Sequence, residues 1–509
     1  MKTILLLLAL LNFHLTVFAQ YEERHRPQFH FSPPSMWMND PNGMVYYQGE
    51  YHLFYQHYPQ DIVWGPMHWG HAVSRDLIHW QNLPIALAPD PLGYIFSGSA
   101  VFDRENSSGL GSKDNPPLVA MFTYHDPSGE KAGRTDYQYQ GLAYSLDRGR
   151  TWTKYEKNPV IPNTEKLKDF RDTKVFWHKP TKKWVVVLAV GNHVRFYSSR
   201  DLKEWQQEGE FGSEHGSHGG VWECPDLFPL RIKATNQEKW VLLLSINAGG
   251  PNGGSATQYF VGNFDGKTFH NENPSETVLW LDYGRDNYAG VTWSNTPQDR
   301  RLFLGWMSNW DYAQKVPTSK WRSAMTLPRE LRLIRTDKGV RLEQTPVIEV
   351  GQLRDNRLVM RRNFRVQSEL KLNAQSPLNE IAFAVDLSKT RAKTFGINLR
   401  NKPGETYRIG FDVAQNNFFS DRTRAGNHDF ADNFAVRPHT AARLSNNRIL
   451  KMRLLFDVAS VELFADDGQT VLTEIFFPTE DFNNFEIYAD GGAVQFVQFQ
   501  MWELKSIWR

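Results

Sequence analysis

The chain has 509 residues, 58 basic against 56 acidic for a net charge of +2, and 14% aromatic residues including 17 Trp. That length implies more than one domain, and the near-neutral balance excludes a nucleic-acid surface, which carries a basic excess. The single cysteine, Cys224, excludes an internal disulfide and a cysteine-based zinc cluster, while so many Trp suit a large core or the covering of apolar sugar faces.

Residues 1–19 read as an export signal. Lys2 gives a positive start, "ILLLLALLNFHLTVFA" is the apolar region, and Val17-Phe18-Ala19 is a small-residue cleavage site. The run is short for a membrane span, and no later stretch approaches its length without charges. The mature chain is therefore expected to begin near Gln20, to be exported into a secreted or periplasmic location, and not to insert in a membrane.

The next stretch is "PPSMWMNDPNG", Pro33 to Gly43. Asn, Asp, Pro and Gly are turn residues, each for its own backbone reason. A surface turn opening the following strand is the plain reading. A surface turn does not need Trp37 and Met38 beside it, and an acid in a rigid turn with an aromatic wall points to a site.

From about residue 25 to residue 335 the chain shows short strand-like runs, turn signals and almost no helical periodicity. "SRDLIHW", "SLDRGRTW", "SSRDLKEW" and "NFDGKTF" each place an Asp (Asp76, Asp147, Asp201, Asp265) four or five residues before an aromatic. The Asp intervals are 71, 54 and 64 residues. A turn recurring at that period in an all-β chain fits propeller blades. With the strands around "RLFLGWMSNW" added, about five blades are expected. Residues 336–354 read as a linker. From 355 to 509 the strands alternate evenly, and Asp466-Asp467-Gly468 signals a hairpin, which fits a β-sandwich domain. The predicted fold is all-β, a five-bladed propeller followed by a C-terminal sandwich.

Three acids have special settings: Asp40 in the opening turn, Asp172 after Arg171 in "DFRDTKVFW", and Glu223 between Trp222 and Cys224. Acids on strands from different blades can converge on a propeller's axis. Singly, each could be a hairpin acid or an ion-pair partner. Glycoside hydrolysis needs one protonated and one ionised carboxyl. Trp222 and Pro225 would give Glu223 an apolar setting, and an ionised Asp40 nearby would repel it, so its pKa is expected to rise. Asp40, beside the Asn39 amide and turn N–H groups, is expected to stay ionised. His215 and His218 in "SEHGSHGG" lack a third ligand at a recognisable spacing, so no metal is expected. Cys224 has no local His base and reads as a buried packing residue. Asn106-Ser107-Ser108 is a glycosylation sequon read as an ordinary loop.

"WMNDPNG", "FYQHYP", "WGPMHWGHAVSRDLIHW", "FSGSAV", "RDTKVFW", "WECPDLF" and "GWMSNW" occur in that order. Together they resemble the motifs of glycoside hydrolase family 32, the invertases, inulinases and levanases. The resemblance covers nearly the whole mature chain, including "FDVASVELFADDG", and is greatest towards bacterial levanases and exo-inulinases. It implies a propeller followed by a sandwich and a retaining enzyme that releases fructose from β-fructofuranosides. Carried over by motif, Asp40 would be the nucleophile, Glu223 the acid and then the base, and Asp172 the transition-state stabiliser with Arg171 beside it. Asn39, Gln56, Trp64, Phe96, Ser97 and Trp306 match positions lining the pocket for terminal fructose. Retention implies carboxyls about 5–5.5 Å apart.

One position departs from the family: Arg171-Asp172 is followed by Thr173 where proline is usual, and looser positioning of Asp172 is the expected consequence. The expected function is exo-hydrolysis of levan or inulin, and of sucrose, without a cofactor. An endo-fructanase, a dedicated invertase, a fructosyltransferase and a non-catalytic fructan-binding protein are the alternatives, and the sequence leaves oligomeric state open.

Overall fold

The computed structural model describes residues 21–508; the expected export segment, 1–19, lies outside the described residues. Between Met36 and Pro346 the strands form five consecutive antiparallel sheets, each built on four successive strands. Their first strands are Met36–Tyr47, Tyr94–Phe102, Phe170–His178, Val221–Arg231 and Tyr288–Thr292. Consecutive first strands lie against one another, and the fifth returns to the first. This is a five-bladed propeller with the first strands around its axis. The ring closes through backbone: Met36 and Trp37 pair in parallel with Trp321 and Arg322, and Tyr46 N donates to Ser294 O at 3.0 Å.

Packing explains the apolar runs. A blade is covered on both faces by its neighbours, so its middle strands are apolar throughout rather than alternating. "VVVLAV" in the third blade and "VLLLSI" in the fourth supply Val185, Val187, Leu242 and Leu244 to one buried layer with Trp222 and Phe260. The recurring Asp marks the turn from third to fourth strand in each of the first four blades. Asp76, Asp147 and Asp201 each accept a hydrogen bond from the serine two residues earlier, and Asp265 accepts from Lys267 N and Thr268 N. In the fifth blade this turn is Asp337-Lys338, between Arg329–Thr336 and Gly339–Pro346. It has no aromatic after it, and it falls inside the stretch 336–354 read from sequence as a linker. Gly339–Pro346 is thus the outer strand of the fifth sheet.

From Arg354 two six-stranded sheets pack face to face, with Phe383, Phe395, Phe411, Phe456 and Phe499 among the side chains between them. This sandwich meets the propeller through buried charges. Arg329 donates to Glu462 at 2.6 and 3.1 Å and to Asp282 at 3.0 Å. Arg422 reaches Asp286 at 2.7 Å and Glu474 at 3.1 Å. His30 lies between Asp457 (2.8 Å) and Glu462 (2.9 Å), with no side-chain exposure in any of the three. Removing one member of such a network strands a buried charge.

Burial alone would lower the His30 pKa, but bonds to two carboxylates outweigh it and raise it to about 9. A raised folded-state pKa stabilises below the unfolded value near 6.5, and that stability is lost as pH rises through about 9. His30→Gln is therefore expected to lower stability by about 3 kcal/mol at pH 6, measured by denaturant titration. The gap to wild type should narrow towards pH 9. A pH-independent gap would contradict the charged pairing.

Candidate active site

Each first strand carries one two-against-one bulge near its start, at the same level around the axis. In the first blade Met38 pairs with His57 and Pro41 with Tyr55, leaving Asn39 and Asp40 opposite Gln56. Phe96-Ser97 bulge in the second blade, Asp172-Thr173 in the third, Cys224-Pro225 in the fourth and Ala289-Gly290 in the fifth. A bulge bends the strand and re-aims a side chain. The predicted turn "NDPNG" is thus part of a bulged strand. Its proline is tolerated because beyond Trp37 the first strand is a sheet edge, and Gly43 supplies a positive φ (+54°) in a second irregularity.

Three bulges use left-handed backbone without glycine: Asp172 (φ +67°), Cys224 (+47°) and Ala289 (+52°). Each costs about 1 kcal/mol. Hydrogen bonds from the preceding blade offset the strain. Gly98 N donates to Asn42 Oδ1 at 3.3 Å, Asp172 N to Thr123 Oγ1 at 2.9 Å, Cys224 N to Asp172 Oδ2 at 3.0 Å, and Ala289 N to Ser245 Oγ at 3.0 Å. Four blade junctions are stitched in this way.

The bulges bring Asp40, Asp172 and Glu223 together. Asp40 accepts from Asn39 Nδ2 (2.9 Å) and Ser97 Oγ (2.8 Å), and Asn39 is fixed by Trp37 Nε1 (2.6 Å). Cys224 Sγ lies 3.5 Å from Asp40 Oδ2 and 3.7 Å from Asp172 Oδ2. Arg171 donates twice to Glu223 Oε1, at 2.9 and 3.2 Å, and once to Asp169 at 2.7 Å. Its Nε is 3.9 Å from Asp172. Tyr288 donates to Glu223 Oε2.

One expectation gains a counter-pull and one needs correction. Asp40 is pushed above the ordinary carboxylate range, first by burial and then by repulsion from Glu223, with the bonds from Asn39 and Ser97 opposing. The apolar wall expected beside Glu223 is absent. Strand alternation turns Trp222 to the opposite side, into the layer between the third and fourth blades, where its Nε1 donates to Ser217 O. Glu223 instead sits between Arg171 and Tyr288. Asp172 is raised to about 7, chiefly by burial, with Arg171 lowering it and Glu223 and Asp40 raising it. Burial also pushes the Cys224 thiol and the Tyr288 phenol well up, so both remain hydrogen-bond donors at neutral pH.

The expected wall residues are distributed around this centre. Gln56 and Trp306 are buried, and Gln56 Nε2 and Trp306 Nε1 have no hydrogen-bond partner among the described residues. Trp306 pairs with Tyr288 in the fifth sheet and lies 6.1 Å from Trp37. Trp64 is exposed and meets Phe96 edge-on at 6.0 Å. The sequence reading gave Tyr288 no role, although "NYAG" carries the same bulge as the other first strands. Thr173 does not leave Asp172 loose, since its Oγ1 donates to Met121 O of the second blade at 2.9 Å, a bond proline cannot make. His215 stacks on Phe211 and His218 on Trp222, and no cluster of three metal-ligating side chains occurs among the described residues.

Two family profiles match the chain: the N-terminal domain of glycosyl hydrolases family 32 over residues 30–346, and the C-terminal domain over 349–503. A levanase of Bacillus subtilis is 49% identical over 494 residues, covering 96% of this chain and 72% of the relative. An extracellular exo-inulinase of Aspergillus awamori is 39% identical over 524 residues, 97% of each chain. Among solved structures, an A. awamori exo-inulinase superposes with a TM-score of 0.89 at 35% identity, covering 96% of this chain and 100% of that one. A β-fructofuranosidase of Schwanniomyces occidentalis complexed with fructosyl-erythritol gives 0.87 at 31%, covering 96% and 99%.

Because Glu223 and Asp40 both raise the Asp172 pKa, Glu223→Gln is expected to lower it from about 7. The substitution removes a repelling charge and leaves Arg171 less neutralised, and both effects favour ionised Asp172. Carboxyl 13C NMR titration of the variant reads the shift; an unchanged or higher value would contradict the coupling.

Proposed function

The chain belongs to glycosyl hydrolase family 32, and on that premise we propose that it is an exported exo-acting β-fructofuranosidase that removes terminal fructose from levan or inulin and also cleaves sucrose. The names of its relatives, levanase and exo-inulinase, supply the substrate class. The N-terminal pattern and the extracellular relatives support export. The observation that carries the mechanism is the buried Asp40 carboxylate held by Asn39 and Ser97, with Glu223 close enough to repel it.

Asp40 attacks the anomeric carbon of the terminal fructose. Glu223 gives its proton to the glycosidic oxygen as the bond to the leaving sugar breaks. The fructosyl–Asp40 ester is then opened by water, whose proton returns to Glu223, and fructose leaves with its configuration retained. In the free protein Arg171 and Tyr288 occupy both oxygens of Glu223. A fructosyl hydroxyl that takes an Arg171 N–H frees Glu223 Oε1 to carry the proton. Asp172 accepts ring hydroxyls, and Gln56 and Trp306 donate their unpaired N–H groups. Trp64 and Phe96 cover apolar sugar faces.

Incubation with levan, inulin and sucrose, followed by chromatography over time, tests substrate and mode. Fructose alone from the first time point is expected, whereas early oligosaccharides would mean endo-cleavage. Asp40→Ala is expected to lower kcat by roughly 10³-fold or more with the fold intact by thermal melting; full retained activity would remove Asp40 from the chemistry.

A further inference from the structure

The five first strands run in the same sense around the axis, and the site lies at their starting ends. The loops joining second to third strands in each blade emerge at that same end. In four blades these loops are substantial: residues 59–67, 126–137, 248–255 and 308–328. In the third blade the loop is only Gly191 and Asn192, between Val190 and His193. Among these second-to-third loops the third blade's leaves the one notch, framed by the connections between blades, 155–169 and 212–220, which reach the same end.

The notch adjoins the acid. Gly191 N donates to Asp169 O (3.2 Å), and Trp222 N donates to Gly191 O (2.7 Å). The hairpin tip thus sits between the strand starts that carry Arg171 and Glu223. Asn192 is exposed, and a side chain added at Gly191 would meet nothing within 4 Å. On the fourth-blade side, His218 stacks on buried Trp222 with ring centroids 5.0 Å apart and planes 12° from parallel. One face of His218 rests on Trp222, and the residue is exposed, so its other face is turned to solvent.

We propose that the part of a fructan chain beyond the cleaved bond leaves the site through the third-blade notch, over Gly191-Asn192, with His218 as the aromatic platform for a leaving-side sugar. The inference rests on the fructosidase reading, and chemistry sets the direction. The leaving oxygen must lie beside Glu223, whose carboxyl is tied to Arg171 of the third blade, so the next sugar stands over the boundary between third and fourth blades. The corresponding loops of the other four blades are all longer. A ring held flat against Trp222 presents a preorganised surface to the apolar face of a sugar.

Asn192→Trp places a large side chain in the notch at an exposed hairpin position, on a residue that has no role in the chemistry. Initial rates are measured on sucrose, on inulin-type oligosaccharides of increasing length, and on levan. The variant is expected to lose about ten-fold or more in kcat/KM on the longer chains while sucrose changes less than about two-fold. His218→Ala is expected to weaken long-chain KM more than kcat. If wild type is active and Asn192→Trp treats sucrose and polymers alike, the exit path is wrong. If wild type cleaves none of these substrates, the fructosidase reading fails first. Sucrose turnover and the melting temperature report whether the variant folds; should it not fold, His218→Ala alone decides, and equal effects at all chain lengths overturn the proposal.

Discussion

Three carboxyl groups crowded at one end of the propeller axis, two of them sharing one guanidinium, are the constraint on which the rest of this structure depends. Burial and mutual repulsion push Asp40 and Asp172 up, and Arg171 is the cation that reaches Glu223, Asp172 and Asp169. Left to relax, such a cluster would separate or fill with water. It is held because each acid sits on a strand of a different blade, and each strand is fixed by its bulge and by a side chain of the blade before it. The strained φ of Asp172 and Cys224 is part of this arrangement. Straightening either strand would aim its acid elsewhere, and it would break the bond from Cys224 N to Asp172.

Closure of the ring and the sandwich act on the same requirement from farther away. A five-bladed ring that opened by an ångström would separate Asp40 on the first blade from Asp172 and Glu223 on the third and fourth. The parallel pairing of Met36-Trp37 with Trp321-Arg322 joins the chain's early and late propeller segments just ahead of Asp40. The sandwich grips those same regions: His30 precedes the first strand, and Arg329 starts the third strand of the fifth blade. Both end on Glu462. The second domain thus clamps the place where the ring is closed, a structural role that needs no sugar contact.

Much of this was legible in the sequence, for local reasons. The Asp turns recur because every blade reverses the same way, and Asp40, Asp172 and Glu223 stand out because Asn39, Arg171 and Trp222 adjoin them. What escaped depends on geometry the chain order hides. Tyr288 lies 65 residues from Glu223, and only the parallel arrangement of first strands brings them together. The direction of Asp40's pKa shift follows from depth of burial, which a turn-like "NDPNG" does not advertise. Trp222 looked like a wall for Glu223 because they are neighbours, yet alternation along a strand turns neighbours apart. His30 finds Asp457 across 427 residues, beyond any local pattern.

The central claim is that Asp40 attacks carbon directly and that Glu223 acts twice. The most direct test is the anomeric form of the fructose released in the first seconds of levan or sucrose hydrolysis, followed by NMR before mutarotation. Release as the β-anomer, the configuration of the bond cleaved, is the expected result. Initial release of the α-anomer would mean single displacement by water, and would contradict a covalent role for Asp40.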